Sequence, residues 1–104
     1  MYQTFSALAD PTRFAIVNQL LTEGEQSAGQ LSEIADISAP AISRHLKVLR
    51  EAAVIRQDVR AQSRIYSINP DAMRRIGNWI EETRQFWETS LDRLEQAIEK
   101  EVSK

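Results

Sequence analysis

Ser38-Ala39-Pro40-Ala41-Ile42-Ser43-Arg44-His45-Leu46-Lys47-Val48-Leu49-Arg50 is the stretch whose reading decides the fold. It reads as a helix. Ser38 makes a good N-cap, because its hydroxyl accepts from an N–H that the first turn leaves unpaired. Pro40 falls in that first turn, where no N–H is needed. At about 100° per residue, Leu46 and Leu49 fall within about 40° of Ile42, and the three form a buried stripe. Pro40, Arg44 and Lys47 lie on the far side, with Ser43 at the edge. Ser38, Ala39, Pro40 and Ala41 make a slim leading end that fits deep in a groove. The two cations suit phosphates or guanine edges. An ordinary amphipathic surface helix with solvated Arg and Lys would show the same pattern. The flanking sequence therefore has to decide.

Upstream, Leu31, Ile34 and Ala35 recur at the helical period. Ser27 supplies an N-cap for that segment. Asp36 and Ile37 leave only a very short turn before Ser38. Two short helices joined so tightly over residues 27–52 form a helix-turn-helix. Downstream, residues 54–59 and 64–68 are rich in β-branched and aromatic side chains. Arg60-Ala61-Gln62-Ser63 separates them. That pattern predicts a β-hairpin over 54–68 with Arg56, Arg60 and Arg64 on or near its tip. The fold class is then mostly α with a two-stranded wing: a winged helix-turn-helix.

Three segments carry a family resemblance. Ala7-Leu8-Ala9-Asp10-Pro11-Thr12-Arg13, followed by an apolar helix, resembles the opening of ArsR/SmtB-type bacterial repressors. The stretch from Ser38 to Leu49 resembles that family's recognition helix. Arg64-Ile65-Tyr66-Ser67-Ile68 resembles its second wing strand. The likeness runs over residues 4–100. The tail with Phe86-Trp87 and Leu91-Asp92-Arg93-Leu94 is similar to a metal-independent branch. The resemblance implies a homodimeric repressor whose first and last helices build a twofold interface.

Length and composition agree with one soluble domain spanning residues 1–104. The 104 residues allow a modest core, and 42% of them are apolar against 27% charged. There is no cysteine, so no disulfide, thiol switch or thiolate metal site is available. No basic start followed by an apolar run marks a signal peptide, and no run approaches membrane-spanning length. A cytoplasmic protein is expected. The net charge of −2 at first argues against nucleic acid. Its distribution reverses that. Residues 1–37 hold one Arg and five acids; residues 38–66 hold six Lys or Arg and two acids, a local excess of +4. The positive block coincides with the proposed recognition helix and wing, and a local basic face matters more than the sum.

Within residues 1–22, Tyr2, Phe5, Leu8 and Ala9 predict a short helix with one apolar side. Asp10 and Pro11 predict the cap and first position of a second helix. Phe14, Ile16, Val17, Leu20 and Leu21 give it a wide apolar face, and Gly24 ends it. Arg13 has two readings, a phosphate contact or a pair with Asp10; the structural one is favoured. The resemblance places glycine where the chain turns left-handed after the recognition helix, and this sequence has Ala53. Alanine there costs on the order of 1 kcal/mol, so a distorted cap is expected, and the sequence leaves the placement of the wing open. The wing turn also lacks glycine, which argues against a tight two-residue turn.

Asn69 and Pro70 open the last helix, predicted over residues 70–100. Some 30 helical residues extend about 45 Å, too far for so small a domain to cover. Met73, Ile76, Ile80, Trp87, Leu91, Leu94 and Ile98 recur as a near-heptad seam. A second copy of the chain would cover it. With the first helix that the resemblance adds to this seam, the expected dimer interface is Tyr2, Phe5, Leu8, Ile76, Ile80, Trp87, Leu91 and Leu94. Gly77, inside this helix, either permits close helix approach or is simply tolerated. Trp79, Phe86 and Trp87 either line an effector pocket or form dimer core; the second is favoured because aromatics dominate such interfaces.

Catalysis finds no constellation. His45 is the only histidine, and Ser43 points about 160° away from it on a helix. His45 sits beside the apolar stripe, which favours a half-buried packing role. Metal-sensing members of the resembled family use cysteine in the first helix of the helix-turn-helix, or Asp and His along the last helix. Leu31-Ser32-Glu33-Ile34 has no thiol and the last helix no histidine, so no metal and no cofactor are expected. Three functions compete. A DNA-binding repressor on a pseudo-palindromic operator accounts for the basic block; a winged-helix protein-interaction module would not need it; an enzyme lacks its residues. The predicted DNA-facing set is Ser27, Ser38, Ala39, Pro40, Ala41, Ser43, Arg44, Lys47, Arg60, Gln62 and Arg64. Arg44 is expected to read base edges, Lys47 to meet phosphate, and Arg60 and Arg64 to contact phosphates or the flanking minor groove.

Overall fold

Side-chain caps set the helix boundaries in the computed structural model, which describes residues 1–103. Helix α1 covers Tyr2–Leu8 and α2 covers Pro11–Glu23. The Asp10 carboxylate accepts from the backbone N–H groups of Thr12 and Arg13, both at 3.0 Å, with Pro11 in the first turn. Strand β1 is Gln26–Ser27, and α3 is Ala28–Ala35. Ser27 and Gln30 form a reciprocal capping box, in which the Ser27 hydroxyl accepts from the Gln30 N–H and the Gln30 side chain accepts from the Ser27 N–H. Asp36 then turns left-handed at φ 53°, a region Asp tolerates. Ser38 accepts from the Ala41 N–H and opens α4, Ala39–Glu51. Strands β2, Ile55–Arg60, and β3, Ser63–Ile68, lead to α5, Pro70–Val102, whose Asn69 cap accepts from the Asp71 N–H.

Residues Met1–Met73 form one compact unit, and those from Arg74 on a second. In the first, Ile42, Leu46 and Leu49 of α4 are 2%, 2% and 0% exposed, as the stripe requires. They pack with Ile16, Val17 and Leu20 of α2, Leu31 of α3, and Val54, Ile55 and Tyr66 at the base of the wing. Each such side chain contributes roughly 1.5–3 kcal/mol of burial, so α4 is anchored along one face. The apolar face of α2 is narrower than its composition predicts. Phe14 and Leu21 are more than half exposed, and so is Ile34 on α3. The core takes only the arc of α2 that Ile16, Val17 and Leu20 occupy.

The wing corrects two expectations. Ala53 does take a left-handed conformation, at φ 59°, but the cap is not distorted. The Ala53 N–H bonds the Arg50 carbonyl and the Val54 N–H bonds the Leu49 carbonyl. That is the complete Schellman pair, with Leu49 and Val54 both buried beside it. The hairpin is also tighter than predicted. Arg60 pairs with Ser63, so the turn is the two residues Ala61 and Gln62. Ala61 carries the positive φ of 57° at the first central position, where a primed turn needs it and glycine is usual. A third strand extends the expected hairpin. β1 pairs antiparallel with β3, Gln26 opposite Tyr66 and Ser27 opposite Ile65, giving the order β1-β3-β2.

Helix α5 has 33 residues, about 50 Å at 1.5 Å each, and runs two residues beyond the predicted end. In the second unit Ile80, Trp87, Leu91, Leu94 and Ile98 are each more than half exposed. Phe86 and Trp87 meet edge to face with ring centroids 6.1 Å apart.

Candidate nucleic-acid interface

The face of α4 opposite its buried stripe presents the predicted reading set. Ser38, Ala39, Pro40, Ser43, Arg44 and Lys47 are exposed, and Ala41 is half-buried. Nothing larger than a proline ring stands at the leading end. Among the described residues Arg44 has no ion pair or hydrogen bond from its guanidinium, so all its donors are available. Lys47 faces Glu51 one turn on at 3.9 Å, with both side chains 66% exposed. A pair that solvated holds the ammonium loosely.

The remaining cations of the basic block differ sharply from one another. Arg50 donates to the Gln57 side chain, which also accepts from the Tyr66 hydroxyl at 3.1 Å. This ties the last turn of α4 to β2 and β3. Arg56 lies 3.9 Å from Asp71. Arg60, expected at the DNA, is engaged by acids. Its two terminal nitrogens donate to the two Glu25 oxygens at 2.6 and 3.0 Å, and its Nε donates to Asp58 at 3.2 Å. The Arg60 hydrogen bond holds the Glu25 carboxyl below its ordinary range. Glu25 in turn raises Arg60 above its own. Arg64 is exposed and, among the described residues, has no such partner. Gln62 stands exposed at the tip. Ser27 is half-buried and its oxygen serves the α3 cap, which leaves only its hydroxyl proton for a phosphate.

Behind α4 lies a polar node that sequence reasoning found only in part. Arg13 does have a structural role, but its side chain does not bond Asp10. Its Nε donates to the Ala7 carbonyl at 2.6 Å and its Nη1 lies 3.3 Å from His45 Nδ1. His45 is three-quarters buried, and the same nitrogen is 3.9 Å from Asp10. The Asp10 carboxyl is held below its ordinary range, chiefly by the Arg13 backbone N–H, with the Arg13 charge adding to it.

Of the apolar residues expected at a dimer interface, Tyr2 is 84% exposed and Phe5 38%, whereas Leu8 packs partly against the core. Ile76 is half-buried, and Ile80, Trp87, Leu91 and Leu94 are exposed. Among the described residues no three His, Cys, Asp or Glu side chains gather where they could hold a metal ion. No described helix is long and apolar enough to cross a membrane.

Comparison with known proteins agrees with this geometry. A family described as a helix-turn-helix domain matches residues 8–58. The chain is 39% identical over 80 residues to the transcriptional repressor SdpR of Bacillus subtilis, covering 77% of this chain and 88% of that one. It is 32% identical over 99 residues to the HTH-type transcriptional regulator Rv2034 of Mycobacterium tuberculosis, covering 95% and 89%. A solved ArsR family transcriptional regulator superposes with a TM-score of 0.74 at 28% identity, over 84% of this chain and 89% of that one. HlyU from Vibrio cholerae superposes at 0.66 with 27% identity, over 77% and 87%.

Proposed function

The chain belongs to the ArsR-type helix-turn-helix regulators of transcription, which bind double-stranded DNA, and from that premise we propose that it is a homodimeric repressor of a pseudo-palindromic operator. The family is one of regulators, not enzymes, and we read no catalytic role in this member. One observation carries the proposal. Arg44, without a side-chain partner among the described residues, stands behind a slim leading end on a helix whose opposite face is almost wholly buried. In a helix-turn-helix the leading part of the second helix reaches the base edges. Arg44 reads a base, with Ser43 and the Ala41 methyl beside it, and Lys47 and Arg64 meet phosphates. The exposed seam of α5 and the Tyr2 and Phe5 side chains support self-association. The half-sites are then centred about 10 base pairs apart, or a multiple of that.

Repression follows from an operator that overlaps the start of transcription. The absence of cysteine and the burial of the one histidine support a metal-independent member, and the cytoplasm fits a regulator of this kind. The test enriches duplexes from a random pool, then titrates the winning operator and a scrambled duplex against wild type and Arg44→Ala. Arg44→Ala is expected to lose about 1–3 kcal/mol per half-site and to relax preference at one position in each. Full discrimination by Arg44→Ala would refute α4 as the reader. Sedimentation of the same sample as a folded monomer at micromolar concentration would refute the dimer.

A further inference from the structure

Arg13 sits where a helix least favours a cation. It is the third residue of α2, in the first turn, at the positive end of the helix dipole. Its placement is therefore not explained by α2 itself. Its side chain leaves α2 and joins two other helices. One arm takes the Ala7 carbonyl at the end of α1, a group the helix leaves without an internal partner. The other arm reaches His45 on α4. A guanidinium can only donate, so in this contact Nδ1 of His45 is the acceptor. Asp10 Oδ2 lies farther from that nitrogen, at 3.9 Å, and already accepts two backbone N–H groups. The Arg13 bond is the one the geometry favours.

The buried stripe of α4 resists withdrawal of the helix from the core but is non-directional. It tolerates small rotations of α4 about its own axis. A side-chain tip about 6 Å from the axis of a helix some 12 Å across moves about 1 Å for 10° of such rotation. Readout of a base edge demands placement to within about 0.5 Å. Arg44 is the residue next to His45. We propose that Arg13 and His45 are positioning residues for DNA readout: their hydrogen bond sets the rotation of α4, and so where Arg44 meets the bases. Because the same guanidinium holds the end of α1, a shift of α1 is passed to the recognition helix. The inference rests on the reading of α4 as the DNA-facing helix.

The experiment uses the full-length protein and the enriched operator, with a scrambled duplex at the same salt. Arg13→Lys keeps the charge but cannot span both partners. His45→Leu removes the acceptor, and His45→Asn restores one at the δ position. Arg13→Lys and His45→Leu are expected to bind the operator about tenfold more weakly and the scrambled duplex within twofold of wild type. His45→Asn is expected to recover most of the operator affinity, and the Arg13→Lys/His45→Leu double variant to lose no more than either single one. Losses that are equal on both duplexes and follow the drop in melting temperature would overturn the proposal, because a purely structural defect reduces all binding alike. If His45→Leu does not fold, Arg13→Lys and His45→Asn carry the same comparison. Retained discrimination in Arg13→Lys while Arg44→Ala loses it would sink the positioning role alone. Retained discrimination in Arg44→Ala would sink both this role and the reading of α4.

Discussion

Ala53→Gly is expected to stabilise the protein, and the size of the gain is set by one dihedral angle. Ala53 closes α4 at φ 59°. In that region an L side chain crowds the following carbonyl, at about 1–2 kcal/mol, whereas glycine is free of the clash. Glycine also has more conformational freedom to lose on folding, about 0.4–1 kcal/mol. The methyl of Ala53 is exposed, so little burial is forfeited. The balance favours glycine by about 0.5–1 kcal/mol. For a domain of this size that raises the melting temperature by about 2–8 °C. Ala52 is the control. It lies one residue earlier at φ −81°, where no clash exists. There glycine relieves nothing, brings its entropic cost and gives up the partial packing of the Ala52 methyl on the core, and Ala52→Gly should melt lower than wild type. Melts followed by circular dichroism at one protomer concentration would decide, since association makes the midpoint concentration-dependent. Operator affinity of Ala53→Gly should stay within twofold, because the Schellman bonds are already formed with alanine in place. A lower melting point for Ala53→Gly, or equal shifts for both variants, would refute the strain argument.

Two further outcomes are expected. A Cβ built on Gly77 meets nothing within 4 Å in its own chain, so Gly77→Ala should add about 1 kcal/mol of helix stability and leave the proposed self-association, read by sedimentation beside wild type, unchanged; a smaller sedimenting species than wild type would instead mark Gly77 as a point of close helix approach. Arg64→Ala should flatten the salt dependence of operator binding by about one unit for each phosphate that the arginine neutralises, whereas Arg60→Ala should leave the slope nearly unchanged and speed hydrogen exchange of the β2–β3 amides; the reverse pattern would return Arg60 to the DNA.

The caps and the α4 stripe are legible in the sequence because their physics is local. Asp10, Ser27, Ser38 and Asn69 each bond a backbone group within three residues. Ile42, Leu46 and Leu49 share a face by helical period alone. The expected width of α2 fails because periodicity shows which residues are apolar, not which neighbour is present to cover them. Strand β1 escapes notice because two residues have no period to detect. The tight wing turn escapes it because the turn rules weigh glycine, while the full β2–β3 ladder holds Ala61 in a positive-φ conformation that the isolated sequence disfavours. The Glu25–Arg60 pair spans 35 residues and depends on the wing folding back beside the start of α3. No local pattern in the sequence encodes that meeting.

That pair changes the electrostatic reading of the whole face. Counted from sequence, six cations in residues 38–66 of each protomer stand ready for phosphate. In a dimer twelve neutralised phosphates would give a salt slope near −11, at about −0.9 for each. The fold neutralises one of these cations closely: Arg60 lies between Glu25 and Asp58. Arg56 and Lys47 each face one acid across 3.9 Å with both partners more than half exposed, and Arg50 bonds the neutral Gln57 side chain, so those charges stay available to phosphate. Arg44, Lys47, Arg50, Arg56 and Arg64 remain, which places the slope nearer about −9 for a dimer. Phosphate contacts of this kind hold the protein to any duplex without telling one sequence from another. The preference for the operator must then come from the reading residue itself, and it is there that the rotation of α4, and the Arg13–His45 bond behind it, acts.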